Sequence, residues 1–134
     1  MLKHKFRLRT KDVRYLTKKK QYCTKWIFGF WRIEQYPNRE YNQASCHIWV
    51  KLSKNATTRN KIRRIIMNYI RDKDITHNKI NWDYYKIFIN LNKNTIPQLV
   101  QYIESHQKSD RYLYFQTEFE SAFTSFQSSL CYKK

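Results

Sequence analysis

Lys3, Lys5, Arg7 and Arg9 occupy every second position of Leu2-Lys3-His4-Lys5-Phe6-Arg7-Leu8-Arg9. Alternate side chains of an extended strand share a face, so this spacing predicts four cations on one side, with Leu2, His4, Phe6 and Leu8 on the other. Same-face residues lie roughly 6.7 Å apart, about twice the ~3.4 Å axial rise per nucleotide of one nucleic-acid strand. Such a row can follow a phosphate backbone, and four consecutive cations exceed what protection of a sheet edge requires. A basic connector over residues 11–20 adds Lys18, Lys19 and Lys20 as candidate phosphate contacts, because basic arms commonly order on nucleic acid. Further along, Lys61, Arg64, Asn68 and Arg71 fall within roughly 80° of one another at 100° per helical residue, and Arg63 lies on their flank. No acid occurs between Lys51 and Arg71. A solvated helix usually mixes both signs, so this stripe also points to phosphate contact.

The charge of the whole chain agrees. Its 134 residues carry 27 Lys plus Arg against 10 Asp plus Glu, a net +17, and the first 73 residues hold 20 of the basic side chains but 4 of the acidic ones. Charge concentrated in one half suits a polyanion-binding surface. The nucleic-acid partner is DNA or RNA on this criterion; the alternative is a small inhibitor or assembly component that binds an acidic protein surface.

Other chemistry is poorly supplied. Phosphate loops, dinucleotide fingerprints and nucleophile elbows need several glycines, and Gly29 is the only one. The acid pairs Asp72 with Asp74 and Glu118 with Glu120 could serve a metal-dependent nuclease. Each also has a structural reading, the first at a helix end among lysines and the second at a helix start. Cys23, Cys46 and Cys131 are too widely spaced to outline a disulfide framework and read as small buried thiols; no pair has zinc spacing. The expectation is therefore a non-enzymatic binder with no metal and no cofactor. The aromatic-glycine signature of RNA-recognition modules and the paired histidines of replication-initiator nucleases are both absent.

The elements that position these residues follow from periodicity. A composition of 41% hydrophobic and 17% aromatic residues supports a single domain over 1–134, with 1–24 as a basic strand and connector. Residues 24–34 and 45–52 are aromatic, β-branched and alternating, which predicts an antiparallel hairpin with Cys46, Ile48, Val50 and Leu52 facing the core. Ile62, Ile65, Ile66, Tyr69 and Ile70 recur at helical spacing over 55–72. A strand is expected over 82–91, with Tyr85, Ile87, Ile89 and Leu91 on one side. Thr95-Ile96-Pro97-Gln98 opens a helix ending near His106. Residues 111–117 read as a last strand, Thr117 and Glu120 as a capping box, and Phe119, Phe123, Phe126 and Leu130 as the stripe of a final helix.

The predicted order is β-β-β-α-β-α-β-α, an α+β fold with a mixed sheet of about five strands and three helices mainly on one face. Trp49, Lys51, Tyr112 and Tyr114 would then lie on the reverse face, either as a stacking platform for unpaired bases or buried by the N-terminal segment or another subunit. The complete set of candidate nucleic-acid contacts is Lys3, Lys5, Arg7, Arg9, Lys18, Lys19, Lys20, Lys51, Lys61, Arg63, Arg64, Arg71, Trp49, Tyr112 and Tyr114. Lys, Asn, Ile, Tyr and Phe, all encoded by A/T-rich codons, make up much of the chain, which points to a phage or another AT-rich genome. No apolar run has the length of a membrane span or the form of a signal peptide, so an intracellular location in the host cytoplasm is expected.

Overall fold

The structure, a computed structural model, describes residues 4–18, 22–35, 40–80 and 83–129. Lys3, Lys19, Lys20, Trp82 and Leu130 lie outside the described residues. Four helices and four strands are seen: α1 (Thr10–Lys18), β1 (Tyr22–Lys25), β2 (Phe28–Glu34), β3 (Gln43–Cys46), α2 (Ala56–Asp72), β4 (Tyr85–Leu91), α3 (Ile96–Ser105) and α4 (Lys108–Ser129). The class is α+β, as expected, with one strand fewer and one helix more among the described residues.

The sheet order is β1-β2-β4-β3. β1, β2 and β4 pair antiparallel, and β3 runs parallel to β4. A parallel pair needs a long crossover, and α2 supplies it. Asn55 caps that helix, its side chain accepting the Thr57 N–H at 2.9 Å. Alternation sends Tyr85, Ile87, Ile89 and Leu91 of β4, with Phe28 and Phe30 of β2, to one face. There they meet Ile62, Ile66 and Ile70 of α2, Leu99 and Ile103 of α3, and Phe115, Phe119, Phe123 and Phe126 of α4. Phe30 stacks on Phe126 with centroids 4.6 Å apart, and Phe28 meets Phe119 edge-on at 5.2 Å. The opposite face is partly covered by α1, where Leu16 and Val13 join Leu8, Phe88, Trp31 and Ile33 in a smaller cluster. Buried Asn42 ties the loops together: its amide donates to the Ile75 and Asn78 carbonyls, and its Oδ1 accepts the Tyr85 N–H, each at 2.7 Å.

Several expectations fail here for identifiable reasons. The N-terminal segment is a 3-10 turn at His4–Phe6 followed by a single bridge from Arg7 to Ala44, rather than a strand. Its alternation persists nonetheless, since Phe6 and Leu8 are buried while Lys5, Arg7 and Arg9 are exposed. The connector is the helix α1. Residues 24–34 turn at Trp26 and Ile27, so that β1 and β2 form the hairpin. The predicted pairing of 24–34 with 45–52 gives way to β4, which pairs with both β2 and β3. β3 ends at Cys46, leaving Val50 56% exposed.

Residues 111–117 belong to α4. Their β-forming side chains are overridden by Phe115, Phe119, Ala122, Phe123 and Phe126, whose helical spacing puts all five in the core. The predicted capping boxes are likewise absent: Thr117 and Glu120 sit within α4, and the Thr95 hydroxyl donates to the Asn92 carbonyl instead. Cys23 is disulfide-bonded, which corrects the expectation of a free thiol there.

Trp26 and Asp74 carry positive φ, 55° and 51°. Asp74 suits that region and its carboxylate pairs with His77 at 2.6 Å. A tryptophan does not, and the left-handed conformation costs a residue with a Cβ roughly 1–2 kcal/mol.

Candidate nucleic-acid interface

Two concave surfaces carry the chemistry anticipated from the sequence. The first is an open recess of about 570 Å³ between the N-terminal segment, β3 and α2. The Arg7–Ala44 bridge fixes Arg7 beside β3. One face of α2 presents Asn60, Arg63, Arg64, Met67 and Asn68, and β3 contributes Ala44, Ser45 and Cys46. Arg63 donates to the Asn60 side chain, which steadies its guanidinium. Three arginines thus line one recess with two asparagines and a serine, and no acid among the described residues lines it. The planar fork of arginine matches phosphate oxygens in two-point contact, so the recess is suited to a phosphodiester or another oxyanion.

The second surface is a groove of about 460 Å³ on the opposite sheet face, alongside α1. Thr10, Val13 and Thr17 form one wall; Trp31, Phe88, Asn90, Ser45 and His47 line the sheet side, and Trp49 and Lys93 mark one end. The Lys93 ammonium lies 5.5 Å from the centre of the Trp49 ring. Tyr22 packs on Trp31 with centroids 4.2 Å apart, and burial raises its phenol above the ordinary tyrosine range. This packing depends on Gly29, because a Cβ there would lie 2.8 Å from Tyr22 Cε2. Asn90 lines the groove, is 2% exposed, and its Oδ1 accepts the Leu91 N–H at 2.7 Å. Rings, a cation and an amide together suit an unpaired nucleotide strand.

The structure divides the predicted contacts. Arg7, Arg63 and Arg64 meet in the recess, and Trp49 lines the groove. Lys61 turns away toward α4, its ammonium 5.2 Å from the centre of the Tyr112 ring. Arg71 pairs with Asp72 at 3.0 Å. Lys5 packs over Phe6 and Tyr41; Arg9, Lys18 and Lys51 are exposed elsewhere. Tyr112 and Tyr114, expected on the sheet, are on α4, where Tyr114 stacks on Tyr102 at 4.2 Å. Burial, then Glu118 and Tyr102, raise the Tyr114 phenol. The sequence reading missed Trp31, Asn90 and Lys93. The signal for Asn90 was present: in β4, Lys86, Phe88 and Asn90 alternate against the core-facing positions. Among the described residues, no three His, Cys, Asp or Glu converge as a metal site would require.

One ion pair couples α1 to the sheet beneath it. Lys86 Nζ donates to Asp12 Oδ1 at 3.1 Å, both groups being largely buried, and the Arg9 N–H donates to Oδ2 at 3.3 Å. Burial acts to raise the Asp12 carboxyl, but the Lys86 hydrogen bond, the Arg9 N–H and the charges of Lys86 and Lys11 outweigh it. The carboxyl is therefore held below its ordinary value. A lowered folded-state pKa stabilises above the unfolded value, about 3.9, and that contribution is lost as pH falls through the folded one. Acid titration of Trp31 fluorescence should show α1 loosening below about pH 4, and Asp12→Asn should lack this acid-dependent component; identical profiles would refute the coupling. Burial likewise pushes the Cys46 thiol up to about 12 against the opposing charge of Arg63. Cys46 should resist disulfide-exchange reagents at pH 8 and react once denaturant is added; fast native labelling would contradict its burial.

No family model and no curated protein matches the chain. Solved structures do. The RNase P protein of Staphylococcus aureus superposes with a TM-score of 0.65 at 16% identity, covering 90% of this chain and 94% of that one. The RNase P protein of Thermotoga maritima superposes with a TM-score of 0.64 at 17% identity, covering 91% and 96%. At such identities the likeness is one of fold.

Proposed function

We propose that this chain is an RNA-binding protein that grips phosphates in the recess of Arg7, Arg63 and Arg64 and lays an unpaired stretch of the same RNA in the aromatic groove. Its role is binding rather than cleavage. The observation that carries the proposal is that three arginines, drawn from two distant segments of the chain, line one recess with no acid among the described residues. Charge placed only for solubility has no reason to gather in this way. The groove adds what a phosphate grip lacks, namely faces for bases and donors for their edges. Choosing RNA over DNA rests on the shared fold with the two RNase P proteins.

The test is a titration into RNA and DNA oligonucleotides of one sequence, single-stranded and duplex, followed by anisotropy at several salt concentrations. RNA should bind more tightly than DNA. With four or more phosphates engaged, log K should fall against log salt with a slope of about −3 or steeper. Absence of RNA binding at low salt would overturn the proposal and turn the search toward an acidic protein partner.

A further inference from the structure

Trp26 stands at the tip of the β1–β2 hairpin, 56% exposed and with φ at 55°. Both properties are unfavourable for a large aromatic side chain. A bulky residue in the left-handed region is a genuine outlier, whereas glycine or asparagine would occupy the turn readily. The surrounding structure holds the strained tip in place: the Asn92 N–H donates to the Ile27 carbonyl at 2.7 Å, and the Asn92 side chain donates to the Trp26 carbonyl at 3.1 Å. Strained residues held in place by their surroundings cluster at functional sites. The clamp also fixes where the tip lies. Asn92 immediately precedes Lys93, whose side chain covers Trp49 at the end of the groove.

We infer that Trp26 is a stacking post for an unpaired RNA base leaving the Lys93 and Trp49 end of the groove, so that the strand continues past the groove onto the hairpin tip. The inference rests on the RNA-binding reading above and extends it to a residue outside both concave surfaces. A ring at the tip accepts any base, because every base has a π face. Trp26 therefore lengthens the binding site without adding sequence preference.

The test compares Trp26→Gly, Trp26→Asn and Trp26→Phe for binding to single-stranded and blunt duplex RNA, with thermal stability measured alongside. Glycine and asparagine relieve the strain and remove the ring; phenylalanine keeps both. Trp26→Gly and Trp26→Asn should raise the melting temperature yet weaken single-strand binding about tenfold, within the range measured for loss of one base–aromatic stack. Duplex affinity and the salt slope should not change, and Trp26→Phe should retain most of the affinity. Unchanged single-strand affinity in the glycine and asparagine variants would overturn the inference while leaving the RNA-binding proposal intact. An equal loss on duplex would also overturn it, by making the tip a support for the sheet. Failure of the unsubstituted protein to bind RNA would instead refute the underlying proposal.

Discussion

Replacing Arg63 and Arg64 together with alanine should lower RNA affinity by about 25- to 60-fold at 0.1 M salt and hardly at all at 1 M salt. The figures follow from counterion release. Each lost phosphate contact removes about 0.7 to 0.9 from the slope of log K against log salt, so two remove about 1.4 to 1.8. Folding should be unaffected, because both side chains are exposed and neither forms a salt bridge with an acid among the described residues. Lys61→Ala, one helical turn away, should have much less effect, since its ammonium lies over Tyr112 outside the recess. Anisotropy at four or five salt concentrations decides the matter. A loss that is the same at every salt concentration would mean that the two arginines act through shape, and the recess would no longer be a phosphate site.

Phe119→Ala should cost about 3–5 kcal/mol, a large share of the roughly 5–15 kcal/mol that holds an average domain folded. The Phe119 ring meets Phe28 and Tyr69 edge-on and packs against Phe30 and Phe123. Its removal thus leaves a cavity shared by the sheet, α2 and α4. The melting temperature should fall by about 10–20 °C. Leu113→Ala on the same helix, at a residue 63% exposed, should stay within about 0.5 kcal/mol of the parent. This pair also tests the course of the chain, because a strand at 111–117 would have put Leu113 into the core. A large loss at Leu113 or a small one at Phe119 would contradict the helix.

Sequence signals in this chain reach only as far as the element that carries them. α2 was legible almost to the residue, since its apolar spacing and basic stripe are both local. The core side of β4 was legible for the same reason. Pairing was not: β2 bonds to β4, some sixty residues away, and alternation says which face a strand buries without saying which strand lies beside it. The error at 111–117 has a related cause, because Tyr112 and Tyr114 alternate over a short window and the Phe115 to Phe126 period emerges only over a longer one. For the site, Arg63 and Arg64 could be read from the helix and Arg7 from the N-terminal alternation. Their meeting depends on the bridge to Ala44, which no local pattern announces. Lys93 and Trp31 were missed because groove walls are made by elements distant in sequence.

The position of β4 bears on how the protein is made. Ribosomes deliver β1, β2, β3 and α2 before the strand that joins them, so the hairpin and β3 have no common partner until residues 85–91 emerge. The Phe28 and Phe30 side chains then still await both α4 and a completed sheet. For most of its synthesis the nascent chain displays an open strand edge and a strongly cationic N-terminal half, a combination that invites misassociation. The same order means that the recess of Arg7, Arg63 and Arg64, one wall of which is β3, is completed only after β4 has been made.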